Sequence, residues 1–403
     1  MDIAALASAP LVLAARARLR EIDQQVFDEQ LRIVAIPAPS HVESRRAAYL
    51  EQRFTELGLI EVQRDEVGNV LGRLPTSKTH TQAGAALVTA HLDTVFPLDT
   101  ELTPRRVGQR VYAPGIADNS RGLAALLGVV RACVELGMRT ERPLWFIATV
   151  GEEGAGDLYG VKHLLRSSGP FSDATAFVSI DGSGLRRIVH RALGSRRLRI
   201  DIRGPGGHSW SDFGRANPVH AASVAVGALS EIVLPSEPRT SLTVARFGGG
   251  TTINAIPSHS WFEVDMRSEG AAELESLATQ ALSVIGGAVT AENERRTPAT
   301  EELVTTVSVI GDRPSGATPN GDPLLNATVE ATRILGAEPQ LVASSTDANV
   351  AISLGIPAVT IGGGGEAGGI HTLDEWYDNH RGAIGLERSL LVTLAAAGGL
   401  ATG

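Results

Sequence analysis

Acidic and histidine residues follow three predicted strands at the points where those strands end. The run "ALVTAHLD" carries His91 and Asp93, "LWFIATV" is followed by Glu152 and Glu153, and "AFVSID" ends at Asp181. In open α/β sheets, sites form at the carboxyl ends of the strands. Carboxylates mixed with imidazole suit hard to borderline divalent cations. The pattern therefore predicts a metal site at this edge of a sheet.

Two further residues extend this set. Asp118 lies in "GIADNSRG", just before a predicted helix, and His371 lies in "GGIHTLDEW", after a glycine-rich loop. Taken alone, Asp118 reads as a cap of the helix at residue 120, and His371 as a loop histidine with a structural role. Their coincidence with acids at successive strand ends favours ligands. Two histidines with several carboxylates and no cysteine fit a pair of divalent ions better than one structural zinc.

The adjacent acids Glu152 and Glu153 have two interpretations. In a semi-buried turn their repulsion is costly unless cations or a proton offset it, and the alternative is a fully solvated turn. Neighbouring side chains at a strand end diverge. One glutamate can then ligate a cation while the other takes a proton from a water nucleophile and later delivers it to a leaving amine.

The elements that must hold these residues alternate between strand and helix from Leu87 to Ile180, and again after about residue 320. Short apolar runs separated by helices of this length predict a largely parallel α/β sheet covered on both faces. The middle of the chain differs, because "RRLRIDIRG" alternates apolar and charged residues as a half-exposed strand does.

That middle region reads in the order β-α-β-β-α-β, the ferredoxin-like unit. We predict helices over 217–234 and 271–287, and a last strand near "GAVTAEN". The predicted organisation is a catalytic α/β domain formed by residues 1–189 and 307–403, with an α+β domain inserted at 190–306.

Composition narrows the function. The 403 residues carry a net charge of -9, so the chain lacks the basic surplus that nucleic acid or an anionic membrane would require. A single cysteine, Cys133, excludes an internal disulfide and lies in an apolar helical pattern typical of a core. Residues 3–15 are mostly apolar, but Asp2 stands where a signal peptide carries Lys or Arg. We expect a soluble cytoplasmic protein with a small-molecule substrate.

Eight ordered motifs carry a family resemblance: "HLDTV", "ADNSRG", "GEEGAGD", "SIDG", "GPGGHSW", "GGTTINAIP", "VDMRS" and "GGIHTLDEW". Together they resemble the co-catalytic di-zinc metallopeptidases and amidohydrolases that include peptidase T, carboxypeptidase G, aminoacylase and acetylornithine deacetylase. The match extends from about residue 25 to 390. Within that superfamily, "GEEGAGDLYGVKHLL" and "GGGGEAGGIHTLDEW" are most similar to peptidase T-like members. The resemblance implies a zinc-exopeptidase-like, doubly wound mixed sheet with an inserted ferredoxin-like lid and dimerisation domain.

The resemblance also implies individual roles. Glu152 matches the general base, and Asp93 matches a carboxylate that orients the imidazole of His91. The expected metal ligands are His91 and Asp181 on the first ion, Asp118 bridging both ions, and Glu153 and His371 on the second.

Three residues of the inserted domain are assigned in the same way. His208 would reach the active site of a partner chain and stabilise the oxyanion, while Asn254 and Arg267 would hold polar groups of the substrate. The alternatives are a structural histidine at 208 and an exposed lattice of ion pairs around Arg267. The glycine run 362–365 is interpreted as an active-site loop that places His371, and "SSTDAN" as pocket lining or a helix cap.

The expected function is hydrolysis of amide bonds with two divalent ions, zinc first, with cobalt and manganese as alternatives. The expected substrates are small peptides cleaved by an aminopeptidase-like or tripeptidase-like exopeptidase, and the expected assembly is a homodimer through the lid domain. Alternatives with the same chemistry are N-acyl amino acids, other non-peptide amides and a hydrolytic deamination. A non-catalytic metal- or peptide-binding protein on the same fold is the alternative from another class.

Overall fold

A computed structural model describes residues 2–75, 84–298 and 300–401. The chain forms two compact units, the first made by the residues up to Ala192 and from Ala317 onward, and the second, the inserted unit, by Leu193–Gly316. The predicted limits of the insertion were 190 and 306. Its far limit lies later because the last strand of the inserted unit follows, rather than occupies, the "GAVTAEN" segment.

The elements run as follows in chain order. Up to residue 192 the helices are α1 (Ile3–Ser8), α2 (Pro10–Glu21), α3 (Asp23–Val34), α4 (Ser44–Glu56), α5 (Ser120–Glu135) and α6 (Tyr159–Leu165). The strands of this segment are β1 (Ile60–Arg64), β2 (Val70–Arg73), β3 (Ala86–His91), β4 (Arg105–Val107), β5 (Arg110–Tyr112), β6 (Leu144–Thr149), β7 (Ala176–Ile180) and β8 (Arg187–Ala192). A short 3-10 turn covers Gly154–Gly156.

The inserted unit and the final segment complete the chain. The inserted unit contains β9 (Gly194–Arg203), β10 (Gly207–His208), α7 (Pro218–Ser230), β11 (Thr240–Gly249), β12 (Ala255–Ile256), β13 (His259–Ser268), α8 (Ala271–Arg295) and β14 (Val304–Arg313). After it come β15 (Gly316–Ala317), α9 (Pro323–Ile334), β16 (Gln340–Ser344), α10 (Ala348–Ser353), β17 (Ala358–Ile361), β18 (Glu366–Gly368), β19 (Trp376–Asp378) and α11 (Gly382–Ala396).

The central sheet of the first unit has the order β1-β2-β6-β3-β7-β17-β8, with β16 also paired to β8. Strands β6, β3, β7 and β17 run parallel, and β1 and β2 make antiparallel pairs with their neighbours. Strand β8 pairs antiparallel with β17 and parallel with β16. The central strands are mostly apolar and buried on both faces because α5 and α11 cover one face and α6 and α10 the other. The predicted α/β fold with a mixed, doubly wound sheet is confirmed.

A second, four-stranded sheet in the first unit has the order β18-β19-β5-β4 and is antiparallel. It joins the segment that contains His371 to the segment that precedes Asp118, although these are far apart in sequence. The N-terminal apolar stretch also belongs to this unit, where Ile3, Leu6 and Val12 pack in the main core.

In the inserted unit, the sheet β11-β13-β9-β14 is antiparallel and packs one face against α7 and α8. This is the predicted ferredoxin-like arrangement. The strand predicted near "GAVTAEN" is wrong, because these residues belong to α8, which runs to Arg295. The apolar residues of α8 recur every three or four positions through Leu277, Ala281 and Ile285 to Ala288, so burial of this stripe carries the helix past Gly286 and Gly287.

Two composition-based expectations concern single features. Cys133 is fully buried in α5 and free of any disulfide. Among the residues that the structure describes, no helix combines the length and the apolarity needed to cross a membrane.

Candidate metal centre

The first group of predicted ligands meets at the carboxyl ends of β3 and β7. His91 is the last residue of β3, and its Nε2 lies 3.0 Å from Oδ1 of Asp118 and 3.6 Å from Oδ1 of Asp181. The imidazole is 1% exposed, whereas each carboxylate is 17% exposed. The three side chains therefore form a compact set of donor atoms in which the histidine is the most deeply buried.

The hydrogen bond made by the other ring nitrogen of His91, Nδ1, sets the tautomer of the ring and so leaves Nε2 available as a ligand. Nδ1 lies 3.1 Å from the backbone carbonyl of Asp93, which can only accept a hydrogen bond. In the neutral ring, Nδ1 therefore carries the hydrogen and Nε2 presents a lone pair. A lone pair that faces two carboxylates requires a positive charge between them, either a proton or a metal cation.

The second group contains His371, Asp118 and Glu153. Nε2 of His371 lies 3.2 Å from Oδ2 of Asp118 and 3.0 Å from Oε1 of Glu153. The two oxygens of Asp118 thus face different histidines, Oδ1 towards His91 and Oδ2 towards His371. His371 is 48% exposed, so this second group opens to solvent.

These donor atoms fit a pair of cations. Ligand atoms about 2.0–2.1 Å from a tetrahedral zinc ion are about 3.3 Å from one another. The four histidine–carboxylate distances, from 3.0 to 3.6 Å, lie around that value. Donor atoms of His91, Asp118 and Glu153 also lie within 4.8 Å of one another. Asp118 can therefore bridge two cations, each with one histidine and one further carboxylate.

The electrostatics of the group agree with this fit. Burial lowers the pKa of His91, but hydrogen bonds with three carboxylates outweigh burial and raise this pKa well above its ordinary value. Hydrogen bonds with Asp118, and then with Glu153, raise the pKa of His371 to about 10. Burial raises the pKa of Asp118, but its hydrogen bonds with the two histidines bring it below the ordinary range. The carboxylates thus favour positive charge among them. Bound cations would supply that charge in place of the imidazole protons.

A sequence model of peptidase family M20/M25/M40 matches residues 87–395, a range that contains every predicted ligand. The chain belongs to this family. The predicted superfamily is thereby confirmed.

Two named relatives of this family member are peptidases. It is 23% identical over 224 residues to carboxypeptidase G2 of Pseudomonas sp. (strain RS-16), which covers 54% of this chain and 53% of the relative. It is 26% identical over 280 residues to the cytosol non-specific dipeptidase of Escherichia coli (strain K12), which covers 63% of this chain and 56% of that relative. The chain thus spans little more than half the length of each.

Solved structures share the fold along almost the whole chain. Aminopeptidase PepT from Bacillus cereus ATCC 10987 matches with a TM-score of 0.72 and 23% identity, over 95% of this chain and 99% of that structure. A tripeptidase from Staphylococcus aureus subsp. aureus mu50 matches with a TM-score of 0.73 and 23% identity, over 93% and 97% respectively. At this identity the likeness shows the M20 fold.

In this M20 family member, the turn that holds the two adjacent glutamates is buried. Glu152 and Glu153 are 5% and 7% exposed, so a fully solvated turn is excluded. Gly151, with φ of 64°, lies in this turn two residues after the end of β6. Burial raises the pKa of Glu153, while its hydrogen bond with His371 acts in the opposite direction.

Asp93 holds this turn more closely than it holds His91. Its carboxylate accepts the N–H of Glu152 and the N–H of Glu153, both at 2.9 Å, and the hydroxyl of Ser40 at 2.6 Å. Its Oδ1 lies 3.5 Å from Nδ1 of His91, farther than the backbone carbonyl that the ring nitrogen contacts. The sequence does not predict this contact of Ser40, because the spacing of Ser40 does not relate it to the strand ends.

The cap of α5 is Asn119, and not Asp118. The side chain of Asn119 accepts the N–H of Gly122 at 2.9 Å and the N–H of Gly182 at 3.1 Å, and it donates to the carbonyl of Ile180 at 2.9 Å. Asn119 therefore ties the start of α5 to the end of β7. This leaves the carboxylate of Asp118 to face the histidines.

Asp347, from the "SSTDAN" motif, is buried beneath the ligands and makes no side-chain cap bond to α10. It accepts the hydroxyl of Thr149 at 2.6 Å, and Thr149 is the strand partner of His91. Burial raises the pKa of Asp347 to about 7. The cap interpretation of this motif holds for Thr346, whose hydroxyl accepts the N–H of Ala348 at 3.3 Å, and not for Asp347.

The glycine run 362–365 is held by two buried arginines. Arg388 donates to the carbonyl of Gly362 at 2.7 Å, and Arg121 donates to the carbonyl of Gly363 at 2.8 Å. A Cβ on Gly365 would lie 2.2 Å from the hydroxyl of Tyr377. The run is therefore a close-packed junction that leads into the His371 segment.

His208, Asn254 and Arg267 all lie in the inserted unit. The pairing of β10 with β12 places His208 beside Ala255, and the N–H of Ser209 donates to the carbonyl of Asn254. Arg267 lies on the polar face of β13 and pairs with Asp265 at 2.8 Å, within the lattice of ion pairs that was its alternative interpretation.

Proposed function

We propose that this M20 family member hydrolyses amide bonds with two divalent cations and acts as an exopeptidase on small peptides. The observation that carries the proposal is the position of Asp118, whose two oxygens face two histidines beside the buried pair Glu152 and Glu153. A site for metal storage would need the ligands but not Glu152.

The proposed cation positions use the donors described above, with His91 and Asp181 on the first, His371 and Glu153 on the second, and Asp118 on both. Zinc is the proposed ion, and cobalt and manganese accept the same donors. When bound, such cations would polarise the substrate carbonyl and lower the pKa of a bound water molecule to about 7.

The chain's own residues then move the proton. Glu152 takes the proton of the attacking water and returns it to the departing amine nitrogen. Asp93 accepts the backbone N–H of Glu152, and this hydrogen bond fixes the point on the backbone from which the Glu152 side chain extends. The neighbouring Glu153 is engaged with His371 and is assigned to ligation.

His208 is the proposed oxyanion donor, supplied by a partner chain in a homodimer formed through the inserted unit. Its Nδ1 accepts the N–H of Trp210 at 3.2 Å and the N–H of Ser211 at 3.4 Å. In the neutral ring the hydrogen therefore lies on Nε2, which can donate to a negatively charged oxygen. Asn254 and Arg267 are the proposed contacts to polar substrate groups, and Arg267 would exchange Asp265 for the substrate.

Small peptides are the proposed substrates because the named relatives and structural neighbours include a dipeptidase, a tripeptidase and an aminopeptidase. A cytoplasmic location is proposed on the single, buried and free cysteine and on the dipeptidase relative, which is named as a cytosol enzyme.

The test combines turnover with metal content. Purified protein is treated with chelator, restored with zinc, cobalt or manganese, and assayed on di- and tripeptides that are free or blocked at either end, and on N-acyl amino acids. We expect cation-dependent cleavage of peptides with a free α-amine, and a loss of about 10²–10⁴-fold in kcat for Glu152→Gln with two cations still bound. The control is Glu330→Gln, on the exposed side of α9.

Each departure from this result has a meaning. Normal turnover in Glu152→Gln with cations bound removes the proposed base. Cleavage restricted to compounds with a blocked amine assigns the chain to N-acyl amino acids. Cation binding without hydrolysis of any compound in the panel contradicts the exopeptidase proposal.

A further inference from the structure

Glu375 is a buried carboxylate that accepts three backbone N–H groups from the turn preceding α5. One oxygen accepts the N–H of Gly115 at 3.1 Å, and the other accepts the N–H groups of Ala117 at 2.8 Å and Asp118 at 3.1 Å. The residue is 0% exposed. A carboxylate that binds three N–H donors of one turn fixes the path of that turn.

The same residue also belongs to the His371 segment. Its N–H donates to the carbonyl of Thr372, one residue after His371, and its carbonyl accepts the N–H of Ala113. The next residue, Trp376, begins β19, which pairs with β5. Glu375 therefore joins, by side chain and by backbone, the two segments that supply Asp118 and His371.

The two proposed cation positions depend on this junction to different degrees. His91 and Asp181 stand at the ends of the central strands β3 and β7, which are held by their neighbours in the sheet. Glu153 and His371 lie outside the strands, and His371 is half exposed. The position of His371 relative to Asp118 thus rests on the segments that Glu375 joins.

We propose that Glu375 is a positioning residue that sets the 3.2 Å approach of His371 to Asp118 and thereby the affinity of the second cation position. The inference rests on the proposed two-cation function. Glutamine cannot replace Glu375, because its amide offers one acceptor oxygen and one NH2 donor to three N–H groups. At least one buried N–H would then face a donor.

The experiment measures the two cation affinities separately. Wild type, Glu375→Gln and Glu387→Gln are stripped with chelator and titrated with Co²⁺, followed by visible absorption and by calorimetry, with circular dichroism as the check on folding. Glu387 is a matched control, since it is a buried glutamate of α11 that pairs with Arg16 and Arg20.

We expect two Co²⁺ ions in wild type. In Glu375→Gln the second should bind 10–100-fold more weakly, the range typical of lost partners of metal ligands, and the first should change by a smaller factor. In Glu387→Gln the melting temperature should fall while both affinities stay at their wild-type values.

The outcomes separate the two proposals. A wild-type second affinity in Glu375→Gln, or an equal loss at both positions, overturns the role of Glu375 while the two-cation site stands. Fewer than two ions in wild type overturns the proposed function itself. If Glu375→Gln does not fold, Glu375→Asp serves instead, because it keeps both acceptor oxygens on a shorter side chain. A wild-type second affinity in Glu375→Asp would equally overturn the role.

Discussion

The backbone N–H of Glu152 donates a hydrogen bond of 2.9 Å to Oδ1 of Asp93. The other oxygen of Asp93 accepts the N–H of Glu153, so one buried carboxylate holds both neighbouring peptide groups. The carboxylate of Asp93 therefore fixes the backbone of both the proposed base, Glu152, and the proposed ligand, Glu153.

The first prediction concerns Asp93→Asn. An asparagine amide must turn its NH2 group towards the N–H of Glu152 or towards that of Glu153. We expect kcat to fall by about 10–100-fold and the free energy of unfolding to fall by about 1–3 kcal/mol. Steady-state kinetics and urea unfolding measure both, with the exposed Asp99→Asn as control. Unchanged kinetics in Asp93→Asn would show that the turn needs no such anchor.

The second prediction concerns the imidazole of His371, which a substitution can remove while the backbone conformation is kept. His371 has φ of 66°, a left-handed conformation that asparagine adopts readily, so His371→Asn removes the imidazole without forcing the chain. We expect one bound cation instead of two by elemental analysis. In the cation-free protein, the free energy of unfolding measured with urea should fall by about 1–2 kcal/mol, because two hydrogen bonds to carboxylates are lost. His380→Asn, on the exposed surface, should keep both ions. Two ions in His371→Asn would contradict the proposed second position.

The third prediction concerns Asn119→Ala. It removes the cap of α5 and leaves the N–H of Gly182 and the carbonyl of Ile180 without their buried partner. We expect a loss of about 2–4 kcal/mol in urea unfolding. Asn217→Ala removes only the cap of α7 and should cost about 1 kcal/mol. Equal losses in the two variants would mean that the link from Asn119 to β7 contributes nothing.

The fourth prediction is a pH dependence. Burial raises the pKa of the Cys133 thiol from 9.0 to about 12. Between these values the unfolded chain loses a proton that the folded chain keeps, so alkaline pH favours unfolding. At pH 10, wild type should have lost about 1.4 kcal/mol more stability, relative to pH 7, than Cys133→Ala. Urea unfolding at both pH values measures this difference, and parallel losses in the two proteins would refute it.

The ligand positions are the part of the site that was open to prediction from sequence. His91 ends one apolar run and Asp181 follows another, each predicted to be a buried strand, and parallel strands bring their carboxyl ends to one edge. The structure places the imidazole of His91 against the carboxylates of both Asp118 and Asp181, as that argument requires. The assignment of individual roles among them remains a proposal.

The supports of the site were not open to prediction in the same way. Asn119, Ser40 and Glu375 act on backbone groups of residues distant in sequence, and a backbone N–H leaves no mark in the residue pattern. The "GAVTAEN" error has a different cause, since Val289 and its neighbours suit a strand by composition and a helix by their spacing to Leu274 and Ala281. Packing against the sheet decides between the two.

Asp118 and His371 are 253 positions apart along the chain, and the entire inserted unit is synthesised between them. Ribosomes add about 5–20 residues per second, so the two halves of the proposed centre are made about 13–50 s apart. Until residues 366–378 emerge and pair with β5, Asp118 has no second histidine to face. The proposed second cation position therefore stays incomplete during most of the chain's own translation.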